Sequence, residues 1–81
     1  MIEFELMAHT SFPPDLIRAQ RDWIRTYEAL ARRPRHTAAL RRRLQELASW
    51  LAAHPFWETD SGRSPAARVE LRRQARAEEA A

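Results

Sequence analysis

The chain has 81 residues, a formal net charge of +3 and a sequence pI of about 10.9, with 44 % hydrophobic and 31 % charged residues. That balance is globular rather than disordered, and the length allows one domain at most. There is no cysteine, which excludes disulfides and thiolate metal sites, and no apolar run reaches the roughly 18 residues that a membrane-spanning helix needs.

A chain this short buries a small share of its surface, so stability must come from helix packing and, we expect, from pairing with a second copy. All 14 basic residues are arginine. Arginine's planar fork suits phosphates and carboxylates. A GC-rich genome also writes arginine wherever a basic residue serves, and the 11 acidic residues offset most of the charge. No signal peptide is visible, and a cytoplasmic location is the expectation.

Residues 1–6 read MIEFEL, and Met7 follows. Glu3-Phe4-Glu5-Leu6 is what two adjacent cloning sites would encode, so 1–6 reads as a cloning scar and 7–81 as a single helical domain. Alternation of Ile2, Phe4 and Leu6 with glutamates would also suit a short strand.

Pro13 and Pro14 open the first helix, where a missing N–H costs nothing, and Asp15 suits its first turn. This helix is expected over about 13–33. Leu16, Ile17, Trp23, Ile24, Tyr27, Leu30 and Ala31 share one broad face, with Arg18, Arg21, Arg25 and Arg32 on the far side. Gln20 falls near the middle of the apolar face, an unusual place for a polar residue.

Arg33-Pro34-Arg35-His36 breaks the helix, and Thr37 is the expected N-cap of the next. The second helix is expected over about 37–53. Leu40, Leu44, Leu47 and Leu51 recur at spacings that make a narrow stripe, His54 falls next in the series, and Pro55 ends the helix. Trp50 lies on the border of the stripe. So short a connection makes the two helices antiparallel, with facing residue numbers that sum to about 69 or 70. Leu16 then comes opposite His54, and Gln20 opposite Trp50 and Leu51. The open end should collect Phe12, Pro13, Pro55, Phe56 and Trp57 into an aromatic cap.

Ser64 and Pro65 read as the N-cap and first position of a third helix, over about 65–79. Ala67, Leu71 and Ala75 make only a thin stripe and Val69 points elsewhere, so weak docking and fraying after Gln74 are expected. The fold class is all-α: an antiparallel helical hairpin plus a shorter C-terminal third helix, with pairing into a dimeric helical bundle as the expected assembly.

No catalytic site, metal site or cofactor is expected. His9 lies in the lead and His36 in the turn at the opposite end of the hairpin, so the two do not easily form one metal site with His54, and no HExxH or paired-histidine spacing occurs. A site of His54 with Glu58 or Asp60 would be too sparse. One glycine cannot make a phosphate-binding loop. Gln20 and His54 form an expected buried polar pair near one end, bonding to each other, to an indole or to the Pro13–Pro14 entry.

Two functions remain. The first is a non-enzymatic protein-interaction module whose unknown partner protein docks on an arginine-edged apolar groove near Trp50, Phe56 and Trp57. The second is a nucleic-acid-associated protein without sequence specificity. Its phosphates would meet Arg18, Arg21 and Arg25, the start of the second helix at Arg41, Arg42 and Arg43, and Arg72, Arg73 and Arg76 of the third. Solvated faces, with pairs such as Arg18–Asp22 and Gln74–Glu78, explain the same arginines without any ligand. The turn is too tight for a convincing helix-turn-helix.

FPPDLIRAQRDWIRTYEALA at 12–31, LRRRLQELASWLAAHPFW at 40–57 and SPAARVELRRQAR at 64–76 together resemble a group of short all-helical actinobacterial proteins of unknown function. The FPxDLxxAQxxW opening and the HPFW ending are the specific parts. The resemblance implies a bacterial, cytoplasmic protein and carries no mechanism.

Overall fold

The computed structural model describes residues 11–32, 35 and 37–80. It is all-α: α1 spans Pro14–Arg32, α2 Thr37–Ala52 and α3 Pro65–Ala80, with a 3₁₀ turn at Pro55–Glu58 between α2 and α3. The suspected scar, His9, the Arg33–Pro34 break and His36 lie outside the described residues.

Proline sets the entry of α1. The Pro13 carbonyl accepts from the N–H groups of Leu16 and Ile17 at 3.1 and 3.2 Å, so Pro13 caps the helix that Pro14 begins. Thr37 is the first residue of α2, one position later than an N-cap.

α1 is the central helix and packs against both α2 and α3. Leu16, Ala19 and Ile24 of α1, Leu47 and Leu51 of α2, and Ala67, Leu71 and Ala75 of α3 are buried. Leu16 and Leu71 are the largest fully buried side chains, each contributing about 1.5–3 kcal/mol by burial. Leu30, Leu40 and Leu44 are only half-buried, so the core thins towards the turn between α1 and α2. The hairpin register is fixed where His54 Nε2 meets Asp15 Oδ2 at 3.2 Å. Those numbers sum to 69, the register expected of an antiparallel pair.

The C-terminal helix corrects the expectation of weak docking. α3 is as long as α2, 16 residues, and continues to Ala80. Its alanine stripe is thin in area but lets the α3 backbone approach α1 closely, with Ala75 0 % exposed. Its last turn is then clamped. Arg21 Nε donates to Glu79 Oε1 at 2.7 Å, Arg25 Nε donates to Glu79 Oε2 at 2.8 Å, and Arg21 Nη1 reaches Glu78 Oε1 at 3.3 Å. The face of α1 expected to be free solvated arginine is therefore partly covered by α3. The local pairs also differ from expectation. Asp22 lies 3.8 Å from Arg25, and Gln74 donates to Glu70 at 2.8 Å.

The connection between α2 and α3 explains how α3 is aimed. The indole N–H of Trp57 donates to the Leu51 carbonyl, one of the last acceptors of α2. His54 caps the 3₁₀ turn, its Nδ1 accepting from the Phe56 N–H at 3.1 Å. Phe12, Phe56 and Trp57 form the aromatic cap, with ring centroids 5.2 Å apart for Phe12–Phe56 and 5.7 Å for Phe56–Trp57. Thr59 closes the turn, its hydroxyl donating to the Phe56 carbonyl at 2.6 Å and accepting from the Gly62 N–H at 3.1 Å. The Ser64 hydroxyl then caps α3 by accepting from the Ala67 N–H at 3.3 Å.

Candidate functional site

Because α1 packs against both other helices while α2 and α3 scarcely meet, a groove of about 540 Å³ runs between α2 and α3 above α1. Gln20, Trp23 and Tyr27 make its floor, since these positions share the strip of α1 that neither neighbour covers. Ala48, Leu51 and Ala52 form the α2 wall, and Trp57 closes one end. Leu71 with Arg68, Arg72 and Arg76 forms the α3 wall. The three arginines recur every four residues, about 6 Å apart along the helix.

The aromatic groups in the groove are already ordered. Tyr27 stacks on Trp23, with ring centroids 5.2 Å apart and planes 15° apart. The Arg68 guanidinium carbon sits 4.5 Å from the Trp57 ring centroid. No ion pair of Arg68, Arg72 or Arg76 forms among the described residues, and no carboxylate is among the groove's lining residues.

Gln20 is buried at 7 % exposure. Its amide makes no hydrogen bond among the described residues, yet no fully buried side-chain N or O atom lacks a partner there. The amide tip therefore opens onto the groove. His54 does not pair with Gln20 as expected. Its Nδ1 is taken by the Phe56 N–H, so the ring proton sits on Nε2 and points to Asp15. The N-cap role turns the ring towards the 3₁₀ turn, on the side of α2 away from Gln20.

The groove brings together some of the residues expected at a partner surface and separates others. Trp57 lies in it. Phe56 belongs to the aromatic cap and is not among the groove's lining residues. Trp50, 44 % exposed, edges onto His54 at 5.1 Å and faces a different hollow, of about 520 Å³, with Asp15, Arg18, Asp22, Arg43, Glu46 and Leu47. A third hollow, about 630 Å³, is walled mainly by polar and charged groups, of which Arg21 already pairs with Glu78 and Arg25 with Asp22. Volume alone therefore does not mark the site.

The nine arginines expected to meet phosphates are not equivalent. Arg21 and Arg25 are bound to Glu79, and Arg73 makes a two-pronged pair with Glu70 at 2.8 Å on each side. Arg41, Arg42 and Arg43 are exposed on α2, away from the arginines of α3. Sequence patterning places Trp23 and Tyr27 on the apolar face of α1 and Arg68 among the arginines lining α3, without marking the three as one site. The repeat of Arg68, Arg72 and Arg76 along one side of α3 was the available signal. Among the described residues, no group of three His, Asp or Glu side chains could hold a metal ion, and no helix is long and apolar enough to cross a membrane.

No curated protein and no solved structure matches the chain. A family model does, described as a domain of unknown function, DUF8825, and it matches residues 15–74. That span runs from the first turn of α1 to the middle of α3 and takes in the whole groove floor, Phe56 and Trp57 of the aromatic cap, and two of the three groove arginines. The chain belongs to the DUF8825 family.

Proposed function

We propose that this protein is a non-enzymatic interaction module, cytoplasmic in location, that binds a partner protein in the groove between α2 and α3. The observation that carries this reading is the groove's composition. Trp23, Tyr27, Leu51, Trp57 and Leu71 supply apolar and aromatic surface, and arginines with no ion pair among the described residues edge one side. Tryptophan, tyrosine and arginine are the side chains enriched at binding hot spots. Tyr27 is 55 % exposed although it stands in the middle of an apolar strip. A large ring left open over an unfilled groove suits a surface that awaits a protein.

The phosphate-binding alternative draws support from Arg41, Arg42 and Arg43, but the ion pairs of Arg21, Arg25 and Arg73 withdraw a third of its arginines. A photo-reactive phenylalanine analogue at Tyr27 or at Ala48, compared with one at the outward Ser49, decides between the two. The test uses extract of the cells that make the protein. A discrete protein adduct from the two groove positions, and none from Ser49, is expected. Groove positions that give no protein adduct, or that couple to nucleic acid, would overturn the reading.

A further inference from the structure

The occupant's chemistry can be read from the groove itself. Resting on the protein-binding reading above, we propose that the groove takes an acidic amphipathic α-helix from a partner protein. Its carboxylates meet Arg72 and Arg76, its apolar side lies on Trp23 and Leu51, and a polar group meets the Gln20 amide.

The shape argues for a helix. α1 already carries one helix on each side, and the gap between them is the place of a fourth member of a bundle. The molecule is elongated, 48 × 27 × 19 Å, and the strip of α1 between α2 and α3 is uncovered. From Arg68 to Arg76 the groove edge measures about 12 Å, a little over two helical turns.

The charge argues for acid. Three cationic side chains edge the groove with no carboxylate among its lining residues. Their spacing of about 6 Å equals one turn of an incoming helix, so glutamates four residues apart can meet adjacent arginines. A second copy of this chain fits poorly, because two such edges would set arginine against arginine. Its most clustered acidic groups, Glu78 and Glu79, are already spent on Arg21 and Arg25.

The rings narrow the room for single-stranded nucleic acid, whose bases each need a free ring face. Arg68 covers one face of Trp57 and Tyr27 one face of Trp23, leaving Tyr27, 55 % exposed, as the open ring. Gln20 adds a polar contact point. Its amide bonds to no described residue and opens onto the groove, where a polar group of the incoming helix can replace water.

The test is selection on the intact chain from a phage-displayed library of random peptides about 16 residues long, four helical turns. A labelled oligothymidine of about 10 nucleotides is titrated in parallel, enough to cover one binding site. Selected peptides should be amphipathic helices with aspartate or glutamate along one flank. The variant Arg72→Glu with Arg76→Glu should weaken them about tenfold or more, and Arg41→Glu with Arg42→Glu should not. All four positions are exposed, and circular dichroism checks that each variant keeps its helices. Neutral or basic peptides that still depend on Tyr27 would overturn the acidic-helix inference and leave the groove reading standing. Peptides indifferent to every groove substitution, or no peptides with tight oligothymidine binding, would overturn both.

Discussion

The guanidinium of Arg68 lies over the Trp57 ring at 4.5 Å, while the indole N–H of the same ring closes the end of α2 at the Leu51 carbonyl. One side chain therefore ties the end of α2 to the first turn of α3 and sets how far apart the two groove walls stand.

Trp57→Phe keeps a ring but removes the N–H donor and weakens the cation contact. The expected loss is about 1–2 kcal/mol of stability. Arg68→Ala alone should cost about 0.5–1 kcal/mol. Urea unfolding of both single variants and the double variant measures the coupling, and strict additivity would show that Arg68 and Trp57 act independently.

Gly62→Ala tests the turn that aims α3. A Cβ there would overlap the Phe56 carbonyl oxygen and come within 2.8 Å of its carbon. The obstacle is backbone, not a flexible side-chain tip, so the turn must open. The expected cost is about 1–3 kcal/mol, with helix content retained and the Phe56–Trp57 contact disturbed. An alanine variant that melts with the parent would contradict this.

The C-terminal clamp should be acid-labile. Hydrogen bonds from Arg25 and then Arg21 hold the Glu79 carboxyl below the ordinary carboxylate range. The folded value lies below the unfolded one, so this contribution is complete above the unfolded value of about 4.3 and fades as pH falls through the folded value. Backbone amide signals of residues 76–80 should move towards random coil as acid is added. In Glu79→Gln they should start closer to coil at neutral pH and change less on acidification.

Much of the scaffold was legible because periodicity and proline act locally. The leucine stripe, the proline entry and the Asp15–His54 register all follow from spacing along one hairpin. The docking of α3 was not legible. It depends on alanines, whose small area hides how closely they let helices approach, and on Arg21–Glu79, a pair separated by 58 residues. The groove inherits that difficulty. Gln20 stood out as a polar residue on an apolar face, but only the position of α3 turns it into a groove floor. Trp50 lay on the border of the leucine stripe and went to the opposite side of α2, where it meets His54.

The most direct measurement is the affinity of a groove-selected peptide for Gln20→Leu relative to the parent chain. Leucine replaces an amide that bonds to no described residue, so the variant should be no less stable than the parent in urea unfolding. If the groove is the binding site, the peptide should bind about tenfold more weakly, the equivalent of about 1.4 kcal/mol. Unchanged affinity in a fold of equal or greater stability would contradict the account and make Gln20 a core residue with no role in binding.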